Sequence, residues 1–417
     1  MKPRGRATHL PPDRYRWTIL AYTLLIQAVS IGSIYYCFAL FAVPWLDEFG
    51  RSRAEVMLAV TFMQIGTGLL SPLIGQAMDR FRMRNMVLLG IAMYVIGYTL
   101  LSQVTSFWQV YIVYALCFPL ALGLTGNLAA QVLVTRWFTR DRGMALGISA
   151  MGTNLGGVVF PLLAAGAIGD GLWREAALTF AVVSLVLLLP ATLIVLARRS
   201  PGESAGAVPQ DATAVGAILR TRSFLVCAFG FLCLNLAFNA VQANLAALAG
   251  DLGFGDWAGG LIALTATTMV AGKLLFGILG DRLPHQVLYW IAGSTMMVGL
   301  VLLSGQPSGS AFVAGVAAVG LAGGGLLPIM ALIIGARFAL ASFGRVMGLM
   351  MLTLAFGAAG PVVAGHLHDL TGSYHVAMLL FASLLVPAMV VMIWLPAPAP
   401  VLDAGAVGAS DTVREGA

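Results

Sequence analysis

Charged residues are scarce in this sequence. Asp, Glu, Lys and Arg make up 10% of its 417 residues, whereas they make up about a quarter of a typical soluble domain. Hydrophobic residues account for 59% of the chain, and the mean hydropathy is +0.92. This composition excludes an ordinary soluble protein and predicts a chain that crosses a membrane many times.

Other absences exclude several functional classes. The four cysteines all lie inside apolar stretches, which argues against a disulfide framework or a zinc site. The sequence has no nucleophile elbow, zinc motif or nucleotide-binding fingerprint. It therefore predicts neither an enzyme nor a bound metal or cofactor. The basic N-terminus lacks the short apolar region and cleavage site of a signal peptide, so the first apolar stretch is expected to remain in the protein.

Twelve apolar stretches are long enough to cross ~30 Å of hydrocarbon as helices. Nearly all of the 23 Lys and Arg residues lie in tails, loops or helix ends on the same side of the membrane as the N-terminus. Because cytoplasmic loops carry an excess of Lys and Arg, both termini are expected to be cytoplasmic. The net charge of +6 then reflects topology and requires no nucleic-acid partner. The predicted segments are 17–43, 56–77, 86–103, 107–134, 144–168, 174–197, 224–249, 257–280, 286–304, 310–336, 345–367 and 374–395.

The two halves of the sequence repeat each other. The pattern Gly-x-x-x-Asp-Arg occurs at 75–80 and at 277–282, an offset of 202 residues. Such repeats are typical of transporters built from two related helix bundles. The expected organisation is all-α, with two pseudo-symmetric six-helix bundles joined by a linker rich in Gly, Ala, Ser and Pro. The expected units are a cytoplasmic tail (1–16), the first bundle (17–199), the linker (200–222), the second bundle (223–396) and a cytoplasmic tail (397–417).

The repeated pattern resembles the cytoplasmic loop signature of the major facilitator superfamily, and this likeness covers nearly the whole chain. Two further stretches, 136–161 and 357–377, are similar to the helix 5 and helix 11 to 12 signatures of its monocarboxylate-transporter branch, which includes bacterial oxalate/formate-type antiporters. The resemblance implies a twelve-helix carrier of small organic anions that works by alternating access. It also implies a functional monomer in a bacterial inner (plasma) membrane.

Lys273 is the one basic residue deep inside an apolar stretch, which runs from Trp257 to Gly280. Intramembrane charge is costly and usually serves an ion or substrate path. In the branch that the chain resembles, a basic residue four positions before a Gly on helix 8 holds the substrate carboxylate, and Lys273 and Gly277 have that spacing. A second basic residue on helix 11 is missing, which favours a monoanion over a dicarboxylate. Two structural roles remain open, namely snorkelling to headgroups and an interhelical hydrogen bond.

Polar residues in the other segments complete the candidate site, although such residues also commonly join neighbouring helices. Three amides of segment 7 recur at i, i+4 and i+7 and so share a helix face. The candidates besides Lys273 are Tyr35, Tyr36, Asn127, Gln131, Asn154, Asn235, Asn239 and Gln242. The residues expected to control conformational change are Gly75, Asp79, Arg80, Arg84, Gly277, Asp281 and Arg282. The two aspartates are expected to cap or pair at the interface between the halves, with these arginines nearby.

The coupling mode depends on the surroundings of Lys273. All acidic residues fall in loops, tails or the ends of segments, and the same helix supplies only Thr265, Thr267 and Thr268 as nearby polar side chains. Such a dry site favours the neutral amine when empty, so we expect an anion and a proton to bind together and the protein to work by proton-coupled symport. A wet site would keep the amine charged and favour anion exchange. Export of hydrophobic, drug-like compounds is a further alternative, and a membrane receptor or scaffold without transport belongs to another class.

Overall fold

The computed structural model describes residues 13–169, 172–199, 215–305 and 307–397. All regular elements in these ranges are helices, and twelve of them are long and apolar enough to cross a membrane. We number these twelve in chain order. Helices 1 to 6 are Arg14–Ala42, Glu55–Arg80, Met83–Ser102, Phe107–Trp137, Arg142–Ala164 and Trp173–Val195; helices 7 to 12 are Arg222–Asp251, Gly259–Gly280, His285–Ser304, Gly309–Gly335, Leu340–Thr371 and His375–Trp394.

The helix bounds confirm the twelve predicted segments, and the differences are confined to their ends. Helix 11 is longer than predicted at both ends: it begins with a 3-10 turn at Leu340–Ser342 and continues to Thr371. The expected tails and linker lie mostly outside the described residues. The described part of the linker contains a short helix, Val215–Arg220, and helix 7 follows it directly.

Three helices are interrupted near the middle of the bundle. Helix 1 contains a π-helical turn at Gly32–Tyr36, and helix 4 contains one at Val113–Cys117 and then breaks at Gly126. Helix 11 contains a 3-10 turn at Phe356–Ala358. Such turns are frequent at functional sites, because they change the direction in which side chains project.

Within each half the helices pack through small residues, as is usual in membrane bundles. A side chain added at Gly156 would collide with the Ala28 carbonyl group of helix 1, and one added at Gly272 would collide with that of Leu321 in helix 10. Large apolar side chains on the outer surface, such as Leu162 at 74% exposed and Ile194 at 73%, suit contact with lipid.

One polar contact joins the helical segment Phe38–Phe49, which continues helix 1, to the start of helix 6 at the face opposite the repeated loops. Arg174 donates hydrogen bonds to both carboxylate oxygens of Glu48, and Trp173 Nε1 donates to Glu48 Oε2 at 2.7 Å. The hydrogen bond from Arg174 is the main cause of a Glu48 pKa below its usual value. This contact lies within the first half and does not cross the interface between the halves.

Candidate functional site

The two halves meet along two seams near the face that carries both Gly-x-x-x-Asp-Arg loops, here called the signature face. Helix 2 packs on helix 11, and helix 5 packs on helix 8. A side chain added at Gly348 would collide with the Ser71 carbonyl group, and one added at Gly147 would collide with that of Lys273. The two helices of each seam are therefore in backbone contact, and the signature face is closed.

The two repeated aspartates bind the starts of helices in the opposite half. Asp79 at the end of helix 2 accepts hydrogen bonds from Gly344 N (2.9 Å) and Arg345 N (2.7 Å) in helix 11. Asp281, after helix 8, accepts from Gly143 N (2.7 Å) and Met144 N (2.9 Å) in helix 5. A carboxylate is favourable at a helix N-terminus, because the first backbone N–H groups have no partner within the helix. Both aspartates thus join the two halves.

The arginines beside these aspartates differ from the expected ones. Asp79, 1% exposed, forms its ion pair with Arg136 of helix 4, with 3.6 Å between Arg136 Nη2 and Asp79 Oδ1. Arg142 reaches from helix 5 to the Gly335 carbonyl oxygen at the end of helix 10, at 3.2 Å. Arg80, which was expected to lie near these carboxylates, is over the neighbouring Phe81 ring, 5.6 Å from its centroid. Sequence position alone gave no reason to choose helix 4 over the loops, because the pairing depends on how the helices pack.

A cavity of about 720 Å³ lies between the halves, on the far side of both seams from the signature face. Of the described residues that line it, Lys273 is the only charged one, and most of the others are apolar. The polar lining residues Tyr35, 48% exposed, Thr61 and Gln64 are exposed, so the cavity opens towards the far face. The bundle is therefore closed at the signature face and open at the opposite one.

Lys273 lies at the floor of this cavity and is 5% exposed. Its Nζ donates to Ala150 O at 2.9 Å, to Thr153 Oγ1 at 2.6 Å and to Asn154 Oδ1, all on helix 5. The inference that Lys273 has too few polar neighbours is therefore wrong, because the partners come from the other half of the chain. The side chain does not snorkel to the surface; it makes an interhelical hydrogen bond and lines the cavity as well.

The structure brings some of the other candidates to the cavity and leaves others away from it. Tyr35, Tyr36, Asn127 and Asn235 line it, the tyrosines on the π-helical turn of helix 1 and Asn127 just after the break in helix 4. Asn154 is not part of the lining, but its Oδ1 accepts a hydrogen bond from Lys273, which is. The remaining candidates, Gln131, Asn239 and Gln242, are outside the lining.

Local contacts explain part of this division. Asn239 Nδ2 donates to Asn235 O of its own helix at 2.8 Å, and Gln242 is exposed. Gln131 is buried deeper in helix 4, at 8% exposed. The cavity also includes polar residues of helix 2 that sequence reasoning did not select: Thr61, Gln64 and Thr67. Their spacing at i, i+3 and i+6, which places them on one face of a helix, was the signal available, but helix 2 was not expected to line the site.

Comparisons with known proteins agree with this architecture. The family model of the Major Facilitator Superfamily matches residues 23–305 and 256–414, and the chain belongs to this superfamily. It is 24% identical over 396 residues to monocarboxylate transporter 13 of Bos taurus, covering 93% of this chain and 91% of that one. It is 29% identical over 246 residues to the oxalate:formate antiporter of Oxalobacter formigenes, covering 58% of this chain and 56% of that one.

A solved structure extends the likeness to the fold. The human organic anion transporter MFSD10 superposes with a TM-score of 0.70 at 15% identity, over 92% of this chain and 100% of that chain. At this identity the likeness shows the fold alone. It confirms the twelve-helix fold expected from the sequence.

Proposed function

We propose that this protein carries small organic anions, above all monocarboxylates, across a membrane by alternating access, with Lys273 as the group that binds the carboxylate. The observation that carries the proposal is a single lysine at the floor of a largely apolar cavity between two contacting halves. An intramembrane cation that faces a cavity marks an ion or substrate path. The bovine and bacterial relatives are both named for carboxylate transport, which supports the same substrate class.

The rest of the lining suits a small substrate with one charge. One lysine without a second cation among the described lining residues favours a monoanion. Asn127, Tyr35 and Tyr36 would supply hydrogen bonds to the remainder of the substrate, and the apolar wall would contact its carbon atoms. In this proposal residues 17–199 and 223–396 are the two transport units. The protein works as a monomer in a bacterial inner membrane, with both termini and the signature face in the cytoplasm.

Replacement of Lys273 tests this assignment. We expect Lys273→Gln to reduce uptake of radiolabelled lactate or pyruvate into proteoliposomes at least about thirtyfold, because removing one partner of a buried charge pair costs roughly 2–5 kcal/mol. The variant should stay folded, since the substitution removes a charge that is costly to bury. Lys2→Gln, which changes the other lysine of the chain, is the matched control and should transport normally.

Two results would contradict the proposal. One is anion uptake by Lys273→Gln at the rate of the control. The other is efflux of a hydrophobic dye that proceeds equally in both variants and without any anion transport, which would favour the exporter alternative. Thermal unfolding of both purified variants shows whether a loss of uptake reflects misfolding.

A further inference from the structure

We propose that the preferred substrate is an elongated, amphipathic monocarboxylate, namely a medium-chain carboxylic acid that carries a hydroxyl group far from its carboxylate. The inference rests on the proposed function for the contact between the carboxylate and Lys273. It adds a second subsite, in which Gln64 of helix 2 binds the distal hydroxyl group. The two walls of the cavity differ in polarity, and the polar wall extends from the floor towards the far face.

The first half of the chain supplies the polar wall. Four polar side chains of this half line the cavity without a hydrogen bond to any other described residue: Tyr35, Tyr36, Gln64 and Asn127. Water can satisfy these groups while the cavity is open, but closure around a substrate expels water. A buried polar group without a partner is costly, so the substrate that suits this wall brings hydrogen-bonding groups of its own.

The second half supplies the apolar wall. Its described lining residues are apolar except for Lys273 and Asn235, and the amide of Asn235 is engaged, because Nδ2 donates to Leu354 O at 2.7 Å. Met269 and Met351 also belong to this wall, and their flexible thioether side chains can adapt to the shape of a hydrocarbon chain. This wall suits the carbon atoms of a substrate.

The internal repeat traces the difference between the walls to the lining residues themselves. The offset of 202 residues between the halves pairs the polar lining residues of helix 2 with apolar residues of helix 8. The pairs are Thr61 with Ala263, Gln64 with Ala266 and Thr67 with Met269. The same offset pairs Tyr36 of helix 1 with Phe238 of helix 7. Equivalent helix faces are therefore polar in the first half and apolar in the second, although the fold of the two halves is the same.

The distance from the floor to Gln64 sets the length of the substrate. The offset of 202 residues pairs Ser71 with Lys273, and halves related by an axis along the membrane normal hold paired residues at equal depth. Gln64 precedes Ser71 by seven residues, which is roughly 10 Å along a helix. An extended chain of about eight carbon atoms covers that distance, given C–C bonds of about 1.5 Å. Lactate contacts mainly the floor, whereas a medium-chain acid also reaches Gln64.

The cavity is large enough for such a substrate. Its volume is about 720 Å³, within the range of roughly 300–1,000 Å³ that is usual for pockets that enclose drug-sized ligands. A carboxylate on Lys273, a chain along the apolar wall and a hydroxyl group on Gln64 would together use the floor and both walls.

Competition for lactate uptake tests the second subsite. Proteoliposomes take up radiolabelled lactate in the presence of increasing octanoate or of octanoate hydroxylated at its terminal carbon, here called the hydroxy acid. For the wild type we expect both acids to inhibit more strongly than unlabelled lactate. We expect the hydroxy acid to inhibit about fivefold more strongly than octanoate, the effect of one hydrogen bond. Radiolabelled hydroxy acid should itself be taken up, and its exclusion would overturn its assignment as a substrate.

Replacement of Gln64 removes the partner of the hydroxyl group. In Gln64→Leu we expect the order to reverse, with octanoate the stronger inhibitor, because a buried hydroxyl group without a partner is unfavourable. Gln103→Leu is the matched control, since Gln103 is exposed at the end of helix 3 and lies outside the cavity lining. It should keep the wild-type order. Lactate uptake without a competitor shows whether each variant is folded.

The results that overturn this inference differ from those that overturn the proposed function. The same preference for the hydroxy acid in Gln64→Leu and in the wild type rejects the second subsite and leaves anion transport in place. So does a wild type that prefers octanoate. If the wild type takes up no lactate, the proposed function fails, and thermal shifts of the wild type and Gln64→Leu with the two acids then decide the subsite alone. Equal shifts in both proteins reject it.

Discussion

At the scale of single residues, two aspartates hold the signature face closed. Asp79 has its two oxygens on Gly344 N and Arg345 N, and Arg136 lies beside it. Because the carboxylate binds the start of a helix in the opposite half, it stabilises the closed signature face without lying in the cavity. In the proposed function Asp79 therefore contributes to turnover, whereas Lys273 binds the substrate.

We expect Asp79→Asn to slow lactate exchange about tenfold while substrate binding survives. An asparagine keeps one acceptor oxygen but turns its amide donors towards backbone N–H groups, so at least one hydrogen bond of roughly 1.5–3 kcal/mol is lost. Exchange rates in proteoliposomes are compared with lactate affinity from thermal shift. Asp369→Asn is the matched control, since that carboxylate is 82% exposed. Lost binding with a normal turnover per bound substrate would instead assign Asp79 to the binding site.

At the scale of elements, glycines allow the helices of each seam to touch. Helix 11 contains Gly348, which faces the Ser71 carbonyl group, and Gly365, where an added Cβ would meet nothing within 4 Å. The two glycines share a helix but differ in their surroundings. Alanine substitutions at the two positions therefore distinguish the effect of helix propensity from the effect of close packing.

We expect Gly348→Ala to destabilise the closed seam by about 1–3 kcal/mol, the usual cost of overpacking. The same change at Gly365 should be neutral or slightly stabilising, because alanine favours the helix by roughly 0.5–1 kcal/mol. Lactate exchange and thermal unfolding are measured for both variants. Equal effects at the two positions would show that the seam of helices 2 and 11 is not tightly packed.

At the scale of the whole molecule, the carrier is closed at one face and accessible from the other. The lining residue Gln64 is exposed, whereas Met347, beside Gly348 in the seam, is 0% exposed. In a background without the four native cysteines, Gln64→Cys should react rapidly with a membrane-impermeant maleimide added outside. Met347→Cys should stay protected from the signature side until lactate drives turnover.

These two cysteine variants also test which face of the protein is cytoplasmic. Lactate should slow the reaction at Gln64→Cys, because the substrate fills the same cavity, and should speed the reaction at Met347→Cys from the inner side. If Gln64→Cys reacts only from inside intact cells, the signature face points outwards and the termini are not cytoplasmic. Labelling of denatured protein provides the control for intrinsic reactivity.

The sequence by itself determined the helices and their repeat. Apolar stretches of spanning length can satisfy their backbone only as helices in lipid, so the twelve spans followed from composition and length. The recurrence of Gly75 and Asp79 as Gly277 and Asp281 indicated two related halves, and the cost of an intramembrane charge singled out Lys273. Each of these conclusions depends on local chemistry or on residues a fixed distance apart in the chain.

Only the tertiary structure decided which groups meet across the two halves. The partners of Lys273 lie 119–123 residues away on helix 5, and the helix starts that bind Asp79 lie 265 and 266 residues away. No periodicity reports such pairings, because they depend on how two bundles pack rather than on the order of residues in either one. The same packing placed Asn235 in the cavity and left Gln242, on the same predicted face, outside it.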